Sequence, residues 1–336
     1  MAQKISVINW KGGVGKTTFS YHIATGLKEM ERDDKQSPRI LLIDLDPQCN
    51  LSISCLDDDY FEDIVYKANH STVKNLLEKF FVLDNPDINT DDFIFKNSVR
   101  RNIDRNGNVI HYKYLDLIVS HQDLIYTDMD IAALLKISSQ GDVSSKDVDK
   151  FKLLHNFINL IEDSYDYIII DCPPNLNIVT QNALYASDYY LIPTLLDKLS
   201  TYGILSITNK VQDLNEMFSE LSISYTNTKL AGIVANKVVI NKGAPKITQH
   251  NFYRGLEKTF GDALFKNYIT SGDGISEASS KGLPVYSISG SNAAKQAESF
   301  KIVVNEMLQR IYDSCSQGLD NELFWNDINL KNNEVH

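Results

Sequence analysis

Cysteine is scarce in this chain, and the four present (Cys49, Cys55, Cys172 and Cys315) form no C-x-x-C pair. None of them stands at metal-ligand spacing from a histidine, so the sequence does not indicate a zinc or iron–sulfur site built on cysteine. So few thiols are typical of reduced cysteines in the cytosol rather than of a disulfide framework.

Long apolar runs are also missing. No stretch approaches the ~20 apolar residues that cross a bilayer, and the first residues lack the apolar core of a secretory signal. We therefore expect a cytoplasmic protein without a membrane anchor. With 336 residues and 43% hydrophobic composition, we expect one large domain over residues 1–315. An insertion around 57–113 and an acidic tail over 316–336 complete the predicted organisation.

The chain as a whole lacks the positive charge that attracts nucleic acid, since its formal net charge is −11. Strong non-specific DNA binders are usually basic, at least on one face. Two segments run against the average: residues 95–113 and 236–268 each carry a net charge of +4. Any contact with DNA must therefore be local.

A glycine-rich stretch, Lys11-Gly12-Gly13-Val14-Gly15-Lys16-Thr17-Thr18, follows an apolar strand pattern at 5–8 and precedes a helical pattern from Phe19. Backbone N–H groups of such a loop, with a helix N-terminus behind them, form a cradle for phosphate. Lys16 can reach β- and γ-phosphates, and the Thr17 hydroxyl can ligate Mg²⁺. The alternative is an ordinary glycine turn, with Lys11 a solvated lysine.

Carboxylates follow two further apolar runs. Asp44 and Asp46 come after residues 40–43, and Asp171 ends residues 167–170 and is followed by two prolines. Continuous apolar runs suit parallel strands covered on both faces, and open α/β sheets bind ligands at the carboxyl ends of such strands. The alternative is that these carboxylates only cap helices.

These three motifs, in this order, resemble the ParA/MinD family of ATPases with a deviant Walker A loop, and ParA-type members above all. The resemblance covers roughly residues 3–56 and 114–312. It implies a doubly wound, mostly parallel α/β sheet and an ATP-dependent homodimer in which Lys11 reaches the partner's nucleotide. Lys11, Lys16 and Asp46 would then be catalytic, with Asp46 orienting water. Thr17, Asp44 and Asp171 would hold Mg²⁺.

The same resemblance implies contacts to adenine. Asn236, at the end of an apolar run, stands where relatives contact the base, and Thr270 and Gly272 occupy positions at which relatives carry a base-contacting proline and asparagine. From the residues alone, Asn236 can equally be a turn residue at a strand end.

The resemblance implies a slow, partner-stimulated ATPase that segregates plasmid or chromosomal DNA and associates with the nucleoid. A centromere-binding protein would be its partner, and non-specific DNA would bind a basic surface that includes Lys242, Lys246 and Arg254. Two alternatives stay open. One is a MinD-like membrane-cycling ATPase, which the acidic tail disfavours. The other is an ATPase that positions a protein cargo.

Two local predictions concern the connections. Asn106-Gly107 between residues 99–103 and 109–112 indicates a basic β-hairpin, with a solvated loop as the alternative. The apolar pattern over residues 264–269 predicts a last inner strand.

Overall fold

The computed structural model describes residues 1–30, 37–83, 86–138 and 149–317. The last helix continues to Gln317, two residues beyond the predicted domain boundary. The rest of the predicted acidic tail, from residue 318 onward, lies outside the described residues.

Strands and helices alternate along most of the described chain. In chain order the strands are β1 (Gln3–Val7), β2 (Ile40–Asp44), β3 (Arg100–Ile103), β4 (Val109–His111), β5 (Leu115–Ile118), β6 (Tyr167–Asp171), β7 (Tyr189–Leu195), β8 (Lys229–Asn236), β9 (Ile240–Asn241) and β10 (Ala244–Pro245). The α-helices are α1 (Lys16–Glu29), α2 (Asn50–Leu56), α3 (Asp58–Glu62), α4 (Val73–Val82), α5 (Leu124–Ser138), α6 (Leu153–Asn159), α7 (Ile178–Ala186), α8 (Ser200–Leu221), α9 (Ile247–Phe260), α10 (Gly274–Ser280) and α11 (Ser291–Gln317).

Six of these strands form one parallel sheet with the spatial order β5-β2-β6-β1-β7-β8. Every residue of β2 and β6 is buried, which agrees with their continuous apolar sequences. Ile40 and Leu42 face a cluster that includes α1 and α11, whereas Leu41 and Ile43 face one that includes α4, α6, α7 and α8. The predicted doubly wound parallel α/β fold is confirmed.

The predicted basic hairpin is present as the antiparallel pair β3 and β4. Its arginines hold it against the body of the protein. Arg100 is only 8% exposed and donates from Nη1 to Asp57 Oδ2 at 3.1 Å, and Arg101 donates from Nε to Glu29 Oε1 at 3.0 Å. These two charges are therefore engaged within the chain.

The strand predicted over residues 264–269 is wrong. The segment forms no continuous strand: two isolated parallel bridges, Ile233 to Leu264 and Val238 to Thr270, and a few backbone hydrogen bonds join it to β8 and the residues after β8. The reason lies in its backbone donors, because the amides of Lys266 and Asn267 donate to the Glu306 carboxylate at 2.8 and 3.0 Å. Donors that are used by α11 cannot continue a strand ladder.

His22 ties the first helix to the segment that follows α10. Its Nδ1 lies 2.8 Å from the Thr18 carbonyl, its Nε2 accepts from the Val285 amide at 3.1 Å, and its ring stacks on Phe300. These partners fix a neutral ring with the proton on Nδ1. Burial lowers the pKa of His22 from 6.5 to about 4, despite the hydrogen bond to Thr18.

We expect His22 to make the protein less stable as the pH falls. The unfolded chain takes up the proton near pH 6.5 and the folded chain only near pH 4, so the free energy of unfolding should drop by about 1.4 kcal/mol per pH unit across that window. The variant His22→Gln keeps an acceptor and a donor but does not titrate. Urea unfolding of both proteins at pH 7, 6, 5 and 4 measures the difference. Parallel stability curves would contradict the assignment.

Candidate functional site

The glycine-rich loop connects β1 to α1 at the carboxyl edge of the sheet. Gly13 and Gly15 have φ angles of 75° and 98°, which residues with a Cβ rarely adopt. Gly15 is the N-cap of α1, and a Cβ there would collide with the side chain of Asn236. Gly12 and Gly13 are exposed, with no atom within 4 Å of an added Cβ. The loop thus presents open backbone at a helix N-terminus, which suits a bound anion.

Lys16 is the first residue of α1 and is only 7% exposed. Burial lowers the pKa of its ammonium group, and the Asp171 and Asp46 carboxylates oppose that effect. The predicted catalytic lysine and two of the predicted acidic residues therefore act on one another electrostatically.

Asp44 and Asp171 end adjacent strands and are partners in the register of β2 and β6. Both are fully buried. Asp44 accepts from the Ser52 hydroxyl and amide at 2.7 and 2.9 Å and from the Asp46 amide at 3.0 Å. Burial raises the pKa of both carboxyl groups, and for Asp171 the neighbouring Asp44 raises it further. A bound cation would compensate the repulsion between two carboxylates that are buried side by side.

The residues present fit a magnesium ion bound together with phosphate. Asp171 Oδ1 accepts from Ser20 Oγ at 2.9 Å, but Oδ2 is buried and accepts no hydrogen bond of normal geometry from the described residues. The Thr17 hydroxyl lies close enough to lower the pKa of Asp171. In the part of the chain that the structure describes, no group of three or more acidic, histidine or cysteine side chains is placed so that all of them could hold one metal ion. The two carboxylates of Asp44 and Asp171 match Mg²⁺, which takes one or two carboxylates from a protein and completes its coordination shell with phosphate and water.

Asp46 lies two residues beyond β2, in the turn before α2. It is 8% exposed, and its Oδ1 accepts from the Gln48 amide at 3.0 Å. Cys49 adopts a left-handed φ of 56° at the N-cap of α2. This turn places the Asp46 carboxylate beside Lys16.

The Lys11 side chain is engaged by a carboxylate that lies outside the glycine loop. Its ammonium group forms an ion pair with Asp197, in the loop between β7 and α8, and both side chains are about 40% exposed. Its amide donates to Asn9 Oδ1 at 2.9 Å, and Asn9 Nδ2 donates to the Pro193 carbonyl at 2.8 Å. The sequence motif gave no signal for Asp197, because this contact joins residues 186 positions apart.

Asn236, at the end of β8, braces the glycine loop. Its Nδ2 donates to the Val14 carbonyl at 2.7 Å, and its Oδ1 accepts from the Lys237 amide at 2.8 Å. Lys237, which the sequence reasoning did not assign to the site, donates from Nζ to the Gly13 carbonyl at 3.2 Å. The site thus has a side wall contributed by the far edge of the sheet.

Thr270 and Gly272 lie beside that wall, since Thr270 bridges to Val238 just after β8. Their carbonyls accept from Gln296 Nε2 at 3.0 and 3.3 Å. Contact of adenine with Asn236, Thr270 and Gly272 stays a prediction.

The predicted DNA-binding residues come directly after the end of β8 in the chain. β9 and β10 pair antiparallel around Lys242 and Gly243, both with positive φ, which makes a tight hairpin turn. Lys246 is the N-cap of α9, and Arg254 lies on that helix and pairs with Glu257 at 2.7 Å. The turn signal Asn241-Lys242-Gly243 was visible in the sequence and was not used.

A parallel α/β sheet with a glycine loop between β1 and α1, a buried lysine and two acidic strand ends defines a P-loop nucleotide-binding protein. A family model described as an AAA domain, AAA_31, matches residues 2–223. The chain therefore belongs to this family, and its relatives confirm the resemblance to ParA-like partition and positioning ATPases.

Among proteins compared by sequence, an uncharacterised protein of Methanocaldococcus jannaschii is 29% identical over 293 residues, covering 87% of this chain and 94% of its own length. The chromosome partitioning protein ParA of Myxococcus xanthus is 27% identical over 242 residues, covering 70% of this chain and 68% of its own length. Among solved structures, an ATP complex of a point variant of Cyanothece McdA superposes with a TM-score of 0.68 at 16% identity, covering 91% of this chain and 96% of that one.

We predict that Asn236→Ala weakens binding of inorganic tripolyphosphate by about fivefold and binding of ATP by at least as much. Asn236 donates one hydrogen bond to the glycine loop, and its loss costs about 1 kcal/mol of binding free energy. This cost applies to every ligand whose phosphates bind the loop, with or without a base. Isothermal titration with both ligands in the presence of Mg²⁺ measures this. Selective loss of ATP affinity, with tripolyphosphate affinity kept, would instead identify Asn236 as an adenine contact.

Proposed function

We propose that this protein is an ATPase that dimerises on binding ATP and Mg²⁺ and serves as a positioning switch for DNA segregation. The single observation that carries the proposal is the buried cluster of Lys16, Asp44, Asp46 and Asp171 around the phosphate cradle, with the second lysine, Lys11, outside it.

The reaction is transfer of the terminal phosphoryl group of ATP to water. The glycine loop and Lys16 bind and orient the phosphates, and Thr17, Asp44 and Asp171 are the groups that would hold Mg²⁺, which neutralises charge on the phosphates when bound. Asp46 orients the attacking water. No strong general base faces this position among the described residues, so intrinsic turnover is slow and a partner protein stimulates it.

The dimer forms through the carboxyl edge of the sheet, where Lys11 lies. Large apolar side chains are exposed along this edge: Ile125 and Tyr126 in the first turn of α5, and Leu199 and Tyr202, 69% and 73% exposed, at the start of α8. A second copy facing this edge would cover apolar surface and bring its phosphates within reach of Lys11.

The cargo is DNA, in a cytoplasmic, nucleoid-associated protein with a centromere-binding partner. The relationship to a chromosome partitioning protein supports this, and so does the basic segment from Lys237 to Arg254 next to the phosphate cradle. Among the described residues, no helix combines the length and the hydropathy that a membrane span requires.

We expect Lys11→Ala to bind ATP but to dimerise more than about 100-fold more weakly, because a charged contact is lost at both sites of the dimer. Asp46→Ala should still dimerise with ATP and Mg²⁺ but hydrolyse at least about 100-fold more slowly, since only water orientation is lost. Light scattering and phosphate release measure the two effects.

Lys16→Ala is the control that removes the phosphate contact itself, and it should abolish hydrolysis. Wild-type turnover in this variant would refute the P-loop chemistry. A Lys11→Ala dimer as stable as the wild type would refute the contribution of Lys11 to its partner.

The triple variant Lys242→Glu, Lys246→Glu, Arg254→Glu should lose ATP-dependent binding to random-sequence duplex DNA while it still dimerises. Phosphate contacts by clustered cations carry non-specific binding and weaken steeply with salt. Filter binding at two salt concentrations, with ATP, with ADP and without nucleotide, measures this.

The matched control reverses three exposed lysines outside this segment, Lys67, Lys96 and Lys210, and so changes the net charge equally. Equal loss in both triple variants would mean that total charge matters and not this surface. If the wild type never binds DNA, an ATPase that positions a protein cargo or cycles on a membrane replaces the segregation function.

A further inference from the structure

The ion pair between Lys11 and Asp197 joins the glycine loop to the start of α8. The Lys11 backbone is held independently, through Asn9, to the end of β7. Only the side chain of Lys11 is therefore free to exchange partners while the loop keeps its shape.

Asp197 is fixed more firmly than an ordinary surface carboxylate. Its Oδ1 accepts from the Leu199 amide at 3.1 Å and from the Ser200 hydroxyl at 3.0 Å, and so fixes the residues at which α8 begins. Its Oδ2 faces Lys11. Partial burial alone would raise the pKa of Asp197, but Lys11 and Ser200 lower it below its usual range. One oxygen thus holds the helix and the other holds the lysine.

We propose that Asp197 is a positioning residue that keeps Lys11 in its own protomer until the ATP of a second copy replaces it. This inference rests on the proposed function, in which Lys11 contacts the partner's nucleotide. The carboxylate of Asp197 competes with the partner's phosphates for one ammonium group. Because both side chains are about 40% exposed, the ion pair is weak enough to be exchanged for a more highly charged triphosphate.

Release of Lys11 takes place next to the surface that the dimer would cover. Leu199 and Tyr202 lie at the start of α8, which Asp197 holds, and both are exposed. The ion pair therefore opposes dimerisation at the same edge where apolar contact favours it. Dimerisation then depends on nucleotide rather than on apolar contact alone.

The test uses Asp197→Asn, which keeps an oxygen to hold the start of α8 but removes the charge. An exposed ion pair is worth a factor of about two to five, and two pairs break for each dimer formed. The dimerisation constant with Mg²⁺ and a non-hydrolysable ATP analogue should therefore rise about 4- to 25-fold, as measured by sedimentation equilibrium. The control, Asp213→Asn, removes an equal charge from α8 itself, where Asp213 pairs with Lys210 at 3.6 Å, and should leave the constant unchanged.

A second measurement separates this function from a merely structural one. Without nucleotide, Asp197→Asn should lower the unfolding midpoint slightly in the wild type but not in Lys11→Ala, because only the wild type has an ion pair to lose. Loss of a residue that only stabilises the fold would weaken both folding and dimerisation. Asp197→Asn should instead weaken folding and strengthen dimerisation.

The two proposals fail in different ways. If the wild type does not dimerise with the analogue, or if Lys11→Ala dimerises as well as the wild type, the proposed function fails. If the wild type dimerises and needs Lys11, but Asp197→Asn dimerises equally or less well, the function of Asp197 inferred here is wrong.

Discussion

Two carboxylates, Asp44 and Asp171, are buried side by side at the ends of adjacent strands, and much of the site depends on this pair. The Ser52 hydroxyl donates to Asp44 and the Ser20 hydroxyl to Asp171, and the Lys16 ammonium group at the start of α1 interacts electrostatically with Asp171. Burying two like charges is costly without compensation. That cost makes this edge of the sheet suited to a bound cation.

The residues at the end of β8 connect the glycine loop to the basic segment that follows them in the chain. Asn236 and Lys237 hold the glycine loop, and the hairpin around Lys242 follows without interruption. The glycine loop and the basic segment are therefore joined by only a few bonded residues. Asp197, which follows the strand between β1 and β8, links Lys11 to α8. Both connections begin at the phosphate cradle and end on surfaces suited to a partner.

Sequence patterns were most informative where an apolar run ends in a chemically distinctive residue. The strands that deliver Asp44 and Asp171 and the helix that begins at Lys16 were predicted, because burial on both faces requires uninterrupted apolar residues. The same reasoning failed at residues 264–269. There the apolar pattern is genuine, but Glu306 takes the backbone donors that a strand would need, and that competitor lies about forty positions away in the chain.

The sequence by itself determined the parallel sheet, the phosphate loop and the order of the acidic residues, since these follow from local periodicity and from motifs of a few neighbouring residues. Only the tertiary structure decided which charges are engaged. It placed Arg100 and Arg101 against Asp57 and Glu29, and Lys11 against Asp197. The physical reason is that an ion pair depends on distance in space, and no local pattern records which distant carboxylate a lysine or arginine will meet.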